Sequence, residues 1–460
     1  MKTSRRFRSR SRILPVIFNA TSPIFFSFCI FVASTIPVAA QKLTHGPVVG
    51  GVTTSTANVF VRTNTSTTVA LVYGTDPNLV SALTTSPLKT LGPSDFTKII
   101  PLSGLTAETR YYVNVKVNGV SQFNPPYPTF TTFAPAGSAR DFKFIVLTDF
   151  TNTADLKHPV PTFDQVAAES PAFVFIGGDF DHRGPLTLVD KRQMFKDLYN
   201  PLTRNMSNFV GQVLRKFPIA HQWDDHDAGV NNADRTYTGW GIAQQVFQEY
   251  VPTYPLPAVS PGIWQKFSYA QAECFVLDCR SQRDNEKRPD DKDKSMLDGN
   301  AYGATGELQW LENGLLSSTA TWKIIFSSVV TNTTTKYPDA WGGYQTEWNV
   351  LRDFITDNQI KNVVFISGDL HLAAIDDGTI SGFPEMCVPQ PNASKRGLGF
   401  DPSADRCSTA PEGDWSEGYY EADCSGYGRV TIQQNPDRLV LETVDEFGVT
   451  HLSYTVPSAE

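Results

Sequence analysis

The stretch 141-DFKFIVLTDF-150 is an apolar run that ends in an acid, and 171-PAFVFIGGDF-180 repeats the pattern. The strings 217-FPIAHQWDDHD-227, 274-CFVLDCRSQRD-284 and 362-NVVFISGDLH-371 follow the same rule. Short runs rich in Val, Ile and Phe read as strands buried on both faces, here with their polar residues gathered at the carboxyl end. Between them lie helix-like stretches: 189-VDKRQMFKDLYN-200, 306-GELQWLENGLL-316 and 344-YQTEWNVLRDFI-355. Strands alternating with helices imply an α/β layered unit. Such units bind ligands beyond the carboxyl ends of their strands. The strings 426-GYGRVTIQQ-434, 437-DRLVLETVDE-446 and 449-VTHLSYTV-456 read as antiparallel strands that close the chain. No internal repeat is present.

Upstream the pattern changes. Residues 42–135 are rich in Thr and Val and poor in helix signals. Runs such as 56-TANVFVRTN-64, 67-TTVALVYGT-75 and 110-RYYVNVKVNG-119 alternate between turn residues, as in a small β-sandwich. The linker 131-TTFAPAGSAR-140 separates this N-terminal unit from the segment 141–456. Residues 1–40 begin with Lys2 and five arginines, continue through an apolar stretch and end on Val38-Ala39-Ala40, the grammar of a cleavable secretory signal. The apolar run from Ile24 to Ala40 is slightly short for a spanning helix, so an uncleaved anchor is the weaker alternative. A secreted or cell-surface protein is the expectation.

The chain has 460 residues, a net charge of −8, and 40% hydrophobic and 19% charged residues, which excludes disorder, collagen and coiled coil as the main class. Residues 1–40 hold six basic and no acidic residues, so their removal takes the charge to −14. That balance argues against a general nucleic-acid binder, which needs a basic face. Outside the leader the cysteines are Cys274, Cys279, Cys387, Cys407 and Cys424. Five is odd, so at least one thiol is free or paired between chains. The last three share a loop-like region where a single bridge would fit an oxidising compartment. Asn64, Asn205, Asn332 and Asn392 each open an N-x-Ser/Thr sequon, expected on surface loops of a glycoprotein.

The strand ends carry the chemistry. They present Asp149, then Asp179 with Asp181 and His182, then Asp224, Asp225, His226 and Asp227, and last Asp369 with His371. So many carboxylates together repel one another and rise in pKa unless a cation sits among them. Asp and His together suit Zn, Mn, Fe or a harder ion such as Ca. Any one of these acids alone would read as a cap, a turn or a solvated loop. Four acid-bearing strand ends together read as a metal site.

Taken in order, 177-GGDFDHRG-184, 223-WDDHDAGVNNAD-234, 277-LDCRSQRD-284, 339-DAWGGYQTEWNVL-351 and 365-FISGDLH-371 resemble the motifs of PhoD-type alkaline phosphatases, in the calcineurin-like metallophosphoesterase superfamily. The strings 45-HGPVVGGVTTSTANVFVRT-63 and 103-SGLTAETRYYVNVKVNG-119 resemble that family's N-terminal β domain. The resemblance implies a two-sheet β-sandwich flanked by helices, preceded by a small all-β Ig/fibronectin-like domain. It implies two or more metal ions. Asp149, Asp179 and His371 would hold the first, with Asp179 bridging, and Asp225 and Asp369 would face the second; His182, where this chain departs from the family, is a further candidate ligand of the first. Asp224 and Asn231 would be further ligands or groups that steady them. His226 would act as general acid or charge stabiliser.

This sequence departs from the family pattern at two positions. Ferric members carry Cys where Asp149 stands and Tyr where His182 stands, which leaves Fe, Mn or Zn open for the first site. The loop histidine expected near 327-SSVVTNTT-334 is absent, so the second site is rich in oxygen and favours Ca or Mg. Two metals roughly 3.5–4 Å apart share a hydroxide and stabilise attacking and leaving oxygens, so no side-chain nucleophile is required. Arg280 and Arg283 are candidates to clamp phosphate with a guanidinium fork. Their alternative role is a structural ion pair with Asp278 or Asp284. Trp341, Tyr344 and Trp348 read as core or site wall. The expected activity is hydrolysis of small phosphomonoesters, with a phosphodiesterase of the same fold as the close alternative. A catalytically inactive binding protein is the weaker one.

Overall fold

The computed structural model describes residues 40–150, 159–203, 206–258, 262–297, 306–392, 413–420 and 425–459. The expected leader, Asn205, Cys407 and Cys424 lie outside them. The five acid-ended strings form strands Phe142–Leu147, Val174–Gly177, Ile219–Gln222, Ala272–Val276 and Val363–Ser367. Their period of two buries both faces. On Phe142–Leu147, Phe144 and Val146 enter one core while Ile145 and Leu147 enter another.

Two large sheets result. One has nine strands in the order Thr450–Pro457, Arg438–Asp445, Gly426–Gln433, Phe142–Leu147, Val174–Gly177, Ile219–Gln222, Leu43–Gly50, Thr56–Thr63 and Thr97–Ser103. The other has seven, among them Gln265–Tyr269, Ala272–Val276, Trp322–Phe326, Val363–Ser367 and Glu385–Cys387. Parallel pairs at the centre of each align the carboxyl ends of their strands.

The sheets pack face to face through Phe144, Phe175, Ile324, Phe326 and Ile366. The Phe175 and Phe326 rings stack with centroids 3.6 Å apart. Helices Pro161–Glu169, Leu188–Leu198 and Trp240–Tyr250 cover the outer face of the first sheet through Phe163, Met194 and Phe247. Helices Glu307–Ser317 and Gln345–Asp357 cover that of the second through Leu311, Leu315 and Trp348. The layers run helix, sheet, sheet, helix. All three helix-like stretches of the sequence are helices. Trp341, Tyr344 and Trp348 are buried core residues.

The N-terminal strands divide between two sheets. Thr67–Gly74 and Arg110–Val117 centre a separate sheet. Leu43–Gly50 instead joins the nine-stranded sheet, with Gly50 beside Ile219 in a parallel pair. Part of the segment expected to stand apart therefore extends the sheet that carries the acids.

Two further readings need correction. Cys274, Cys279 and Cys387 are free and buried, and Cys387 is a strand residue rather than a loop residue. Asn332 and Asn392 are also buried, and Asn332 Nδ2 donates to Asp414 O at 2.6 Å, so these two sequons are not on the surface. Among the described residues no helix is long and apolar enough to cross a membrane.

The sandwich interface is open to test. Phe326→Ala should lower stability by about 3–5 kcal/mol, the usual range for a buried Phe. A urea midpoint unchanged in that variant would contradict the face-to-face packing.

Candidate metal centre

Four of the proposed ligands sit just past a strand end, where the backbone is held in an uncommon conformation. Asp149, Asp179, Asp369 and His371 have φ of +58°, +46°, +70° and +56°. Non-glycine residues occupy this region only where their surroundings over-determine it, at roughly 1–3 kcal/mol each. Two glycines let the ends approach. A Cβ on Gly178 (φ +101°) would lie 2.9 Å from Asp224 Cβ, and one on Gly368 would lie 2.9 Å from Asp149 Oδ2. Backbone bonds lace the ends together. Asp149 N–H donates to Gly178 O at 3.2 Å, and Phe150 N–H to Asp179 O at 2.7 Å. Asp369 N–H donates to both oxygens of Asp149, at 3.1 and 3.0 Å. Asp227 accepts from Phe180 N–H and Asp224 N–H, joining two more ends.

The ligand-type atoms gather in three overlapping groups, each within 4.8 Å. They are Asp149, Asp179, His182 and His371; then Asp179, Asp225 and His226; then Asp179, Asp224, Asp225 and Asp369. Asp179 belongs to all three. His182 Nδ1 bonds Phe150 O at 2.7 Å, and its Nε2 lies 2.9 Å from His371 Nε2 and 3.2 Å from Asp179 Oδ2. His226 N–H donates to Asp179 Oδ1 at 3.1 Å and to Asp225 Oδ1 at 2.8 Å.

The electrostatics fit a cation. Burial, and then the Asp225 charge, push Asp179 well above the usual carboxylate range. Burial does the same to Asp369, against the pull of Lys336 and Arg280. Burial alone would lower His182, but its hydrogen bond to Asp179 and that carboxylate's charge raise it to about 10. A proton held so tightly between acids marks a place where positive charge is strongly favoured. Asp369 Oδ2 and His226 Nδ1 are buried with no hydrogen-bond partner among the described residues. Two imidazoles and two carboxylates around Asp149 suit Fe, Mn or Zn, and the acids around Asp225 and Asp369 suit Ca or Mg.

Two arginines lie elsewhere than expected. Arg280 is fully buried. It forks onto both oxygens of Asp224, donates Nη1 to Asp339 Oδ1 at 2.8 Å, and has Nη2 3.3 Å from Asp369 Oδ1. Arg283 is equally buried and donates to Asp339 Oδ1, Asp339 O and Ala233 O. With their donors occupied, neither guanidinium is open to substrate; both are internal ion pairs, and their partners are Asp224 and Asp339 rather than Asp278 or Asp284. Asn231 is exposed and turned to Asn232 Oδ1, while Asn232 N–H bonds Asp225 Oδ2 at 2.5 Å. Sequence reading passed over Asp339, which stands in the quoted 339-DAWGGY-344 string, and Lys336. The Lys336 Nζ lies 2.6 Å from Asp369 Oδ1, and the side chain is 30% exposed. With Thr335 and His371 it lines an open polar cavity.

Residues 187–435, more than half of the chain, match the model of the family described as PhoD-like phosphatase. The chain belongs to that family. The matched span holds Asp225, His226, Arg280, Asp369 and His371, while Asp149, Asp179 and His182 precede it. Alkaline phosphatase D of Bacillus subtilis (strain 168) is 25% identical over 313 residues, covering 59% of this chain and 52% of that protein. The chain thus spans about half the length of that curated relative. A solved structure of PhoD superposes with a TM-score of 0.68 at 17% identity, over 90% of this chain and 92% of that one. A purple acid phosphatase from seeds of yellow lupin (Lupinus luteus) gives 0.55 at 13% identity, over 91% and 74%. Both likenesses show the fold.

Arg280→Gln separates the two roles of that side chain. An internal ion pair predicts a loss of about 3–5 kcal/mol in unfolding free energy, because buried acids are left unpaired. A raised KM with unchanged stability would restore the phosphate clamp.

Proposed function

We propose that the chain is a secreted, metal-dependent phosphoester hydrolase acting on small phosphomonoesters. The carrying observation is that Asp179 belongs to all three groups of ligand-type atoms. Asp149, Asp179, His182 and His371 would hold the first metal. Asp179, Asp225 and Asp369 would hold the second. When bound, the metals supply Lewis-acid polarisation of the phosphoryl oxygens and lower the pKa of water.

The chain's own residues do the rest. Arg280 fixes Asp224 and Asp369 by charge and does not touch substrate. Lys336 is the cation that borders the open cavity, so it takes over the phosphate-binding role first given to Arg283. His226 holds its backbone on Asp179 and Asp225, which leaves its partly exposed imidazole to pass a proton to the leaving oxygen. The net charge of −14 after loss of the leader repels polyanions at long range, which favours small esters. The division into a leader over 1–40, an Ig/fibronectin-like unit over 42–135 and a catalytic unit over 141–456 belongs to the same proposal.

Hydrolysis of 4-nitrophenyl phosphate and its bis-ester tests this reading. Asp179→Ala should abolish turnover, and His226→Ala should lower kcat by about 10²–10⁴, the range for a general acid. Turnover of the bis-ester alone would favour the diesterase. Full activity of Asp179→Ala, or no turnover of either ester by metal-loaded protein, would overturn the proposal.

A further inference from the structure

A second cavity, of about 720 Å³, opens among residues 110–132, 167–172 and 211–218. It lies at the amino ends of the strands Val174–Gly177 and Ile219–Gln222, the edge opposite Asp179 and Asp224. Its size suits a small ligand. Its cations are Arg110, Arg215 and Lys216, and no carboxylate lines it among the described residues. In a chain with more acids than bases, that lining stands out.

Arg215 is the half-buried cation of this lining. Its Nε and Nη2 both donate to Gly46 O, at 3.2 and 2.8 Å, and its guanidinium lies 4.8 Å from the Phe123 ring centroid. A carbonyl and a ring face hold it in place, but no carboxylate pairs with it among the described residues. Burial accordingly lowers it to about 10. A desolvated cation without a counter-ion is unfavourable, and an anion would relieve it. Arg110 is exposed and makes no ion pair among the described residues, and Lys216 Nζ is bonded to Gln212. Two acids next to the lining in sequence are already paired, Glu108 with Arg140 and Glu169 with Lys143 and Arg429.

Aromatic rings stand beside these charges. Arg110 and Tyr112 are two residues apart on one strand and so share a face. Thr129 pairs with Tyr112 across the sheet and donates its N–H to Arg215 O at 2.8 Å, which ties this edge of the sheet to the Arg215 backbone; both Tyr112 and Arg215 line the cavity. Tyr127 and Phe123 complete the wall.

We infer that this cavity binds a ring-bearing anion, its acidic group on Arg215 and Arg110 and its ring against Tyr112, Phe123 and Tyr127. Acidic sugars and aromatic acids share this chemistry, and two probes separate these sources. Calorimetric titration of the full chain with trigalacturonate and with naphthalene-2-sulfonate should show binding of one of them, weakened by added salt. Neutral maltotriose should not bind. Arg215→Gln should weaken the bound probe at least about tenfold, the loss of one charge-assisted contact. Arg110→Gln, an exposed change that spares the fold, should weaken it too. Hydrolysis of 4-nitrophenyl phosphate should be unchanged in both variants. The inference is overturned if neither probe binds, if both variants bind as the parent does, or if binding is lost in Asp179→Ala instead.

Discussion

Five buried carboxylates, those of Asp149, Asp179, Asp224, Asp225 and Asp369, fall in overlapping groups that share Asp179. Their mutual repulsion is the constraint on which the rest of the site depends. The chain answers part of it with fixed cations. Arg280 takes Asp224 and one oxygen of Asp369, and Lys336 meets the same oxygen. Among the described residues Asp179 meets no arginine or lysine; it is met by backbone N–H from His226 and by the His182 imidazole, which holds its proton up to about 10. The charge left over is the charge a metal would balance.

Holding repelling groups together requires a rigid frame. Two sheets packed through Phe144, Phe175 and Phe326 fix the strands, and parallel pairing aligns the carboxyl ends. The left-handed backbone at Asp149, Asp179, Asp369 and His371 is then sustained by the cross-strand bonds that tie each end to the next. Packing energy in the sandwich offsets conformational strain at its edge.

Much of this was legible in the sequence, for a physical reason. Strands buried on both faces need continuous apolar runs, so an acid immediately after such a run stands out, as Asp149, Asp179 and Asp369 do. What could not be read depends on distant partners. Nothing local says that Leu43–Gly50 pairs with Ile219 and enters the acid-bearing sheet. The same holds for Arg280 and Arg283. A guanidinium beside acidic strings looks the same whether it meets phosphate or a buried carboxylate, and Asp339, which decides the matter, lies far along the chain. Lys336 escaped notice because a single lysine in a Thr-rich loop carries no pattern.

The most direct measurement is an anomalous-scattering map from crystals of the metal-loaded protein. The account predicts two peaks about 3.5–4 Å apart, with the Asp179 carboxylate between them and His182 and His371 on the same peak. A single peak, or two peaks that Asp179 does not bridge, would contradict it.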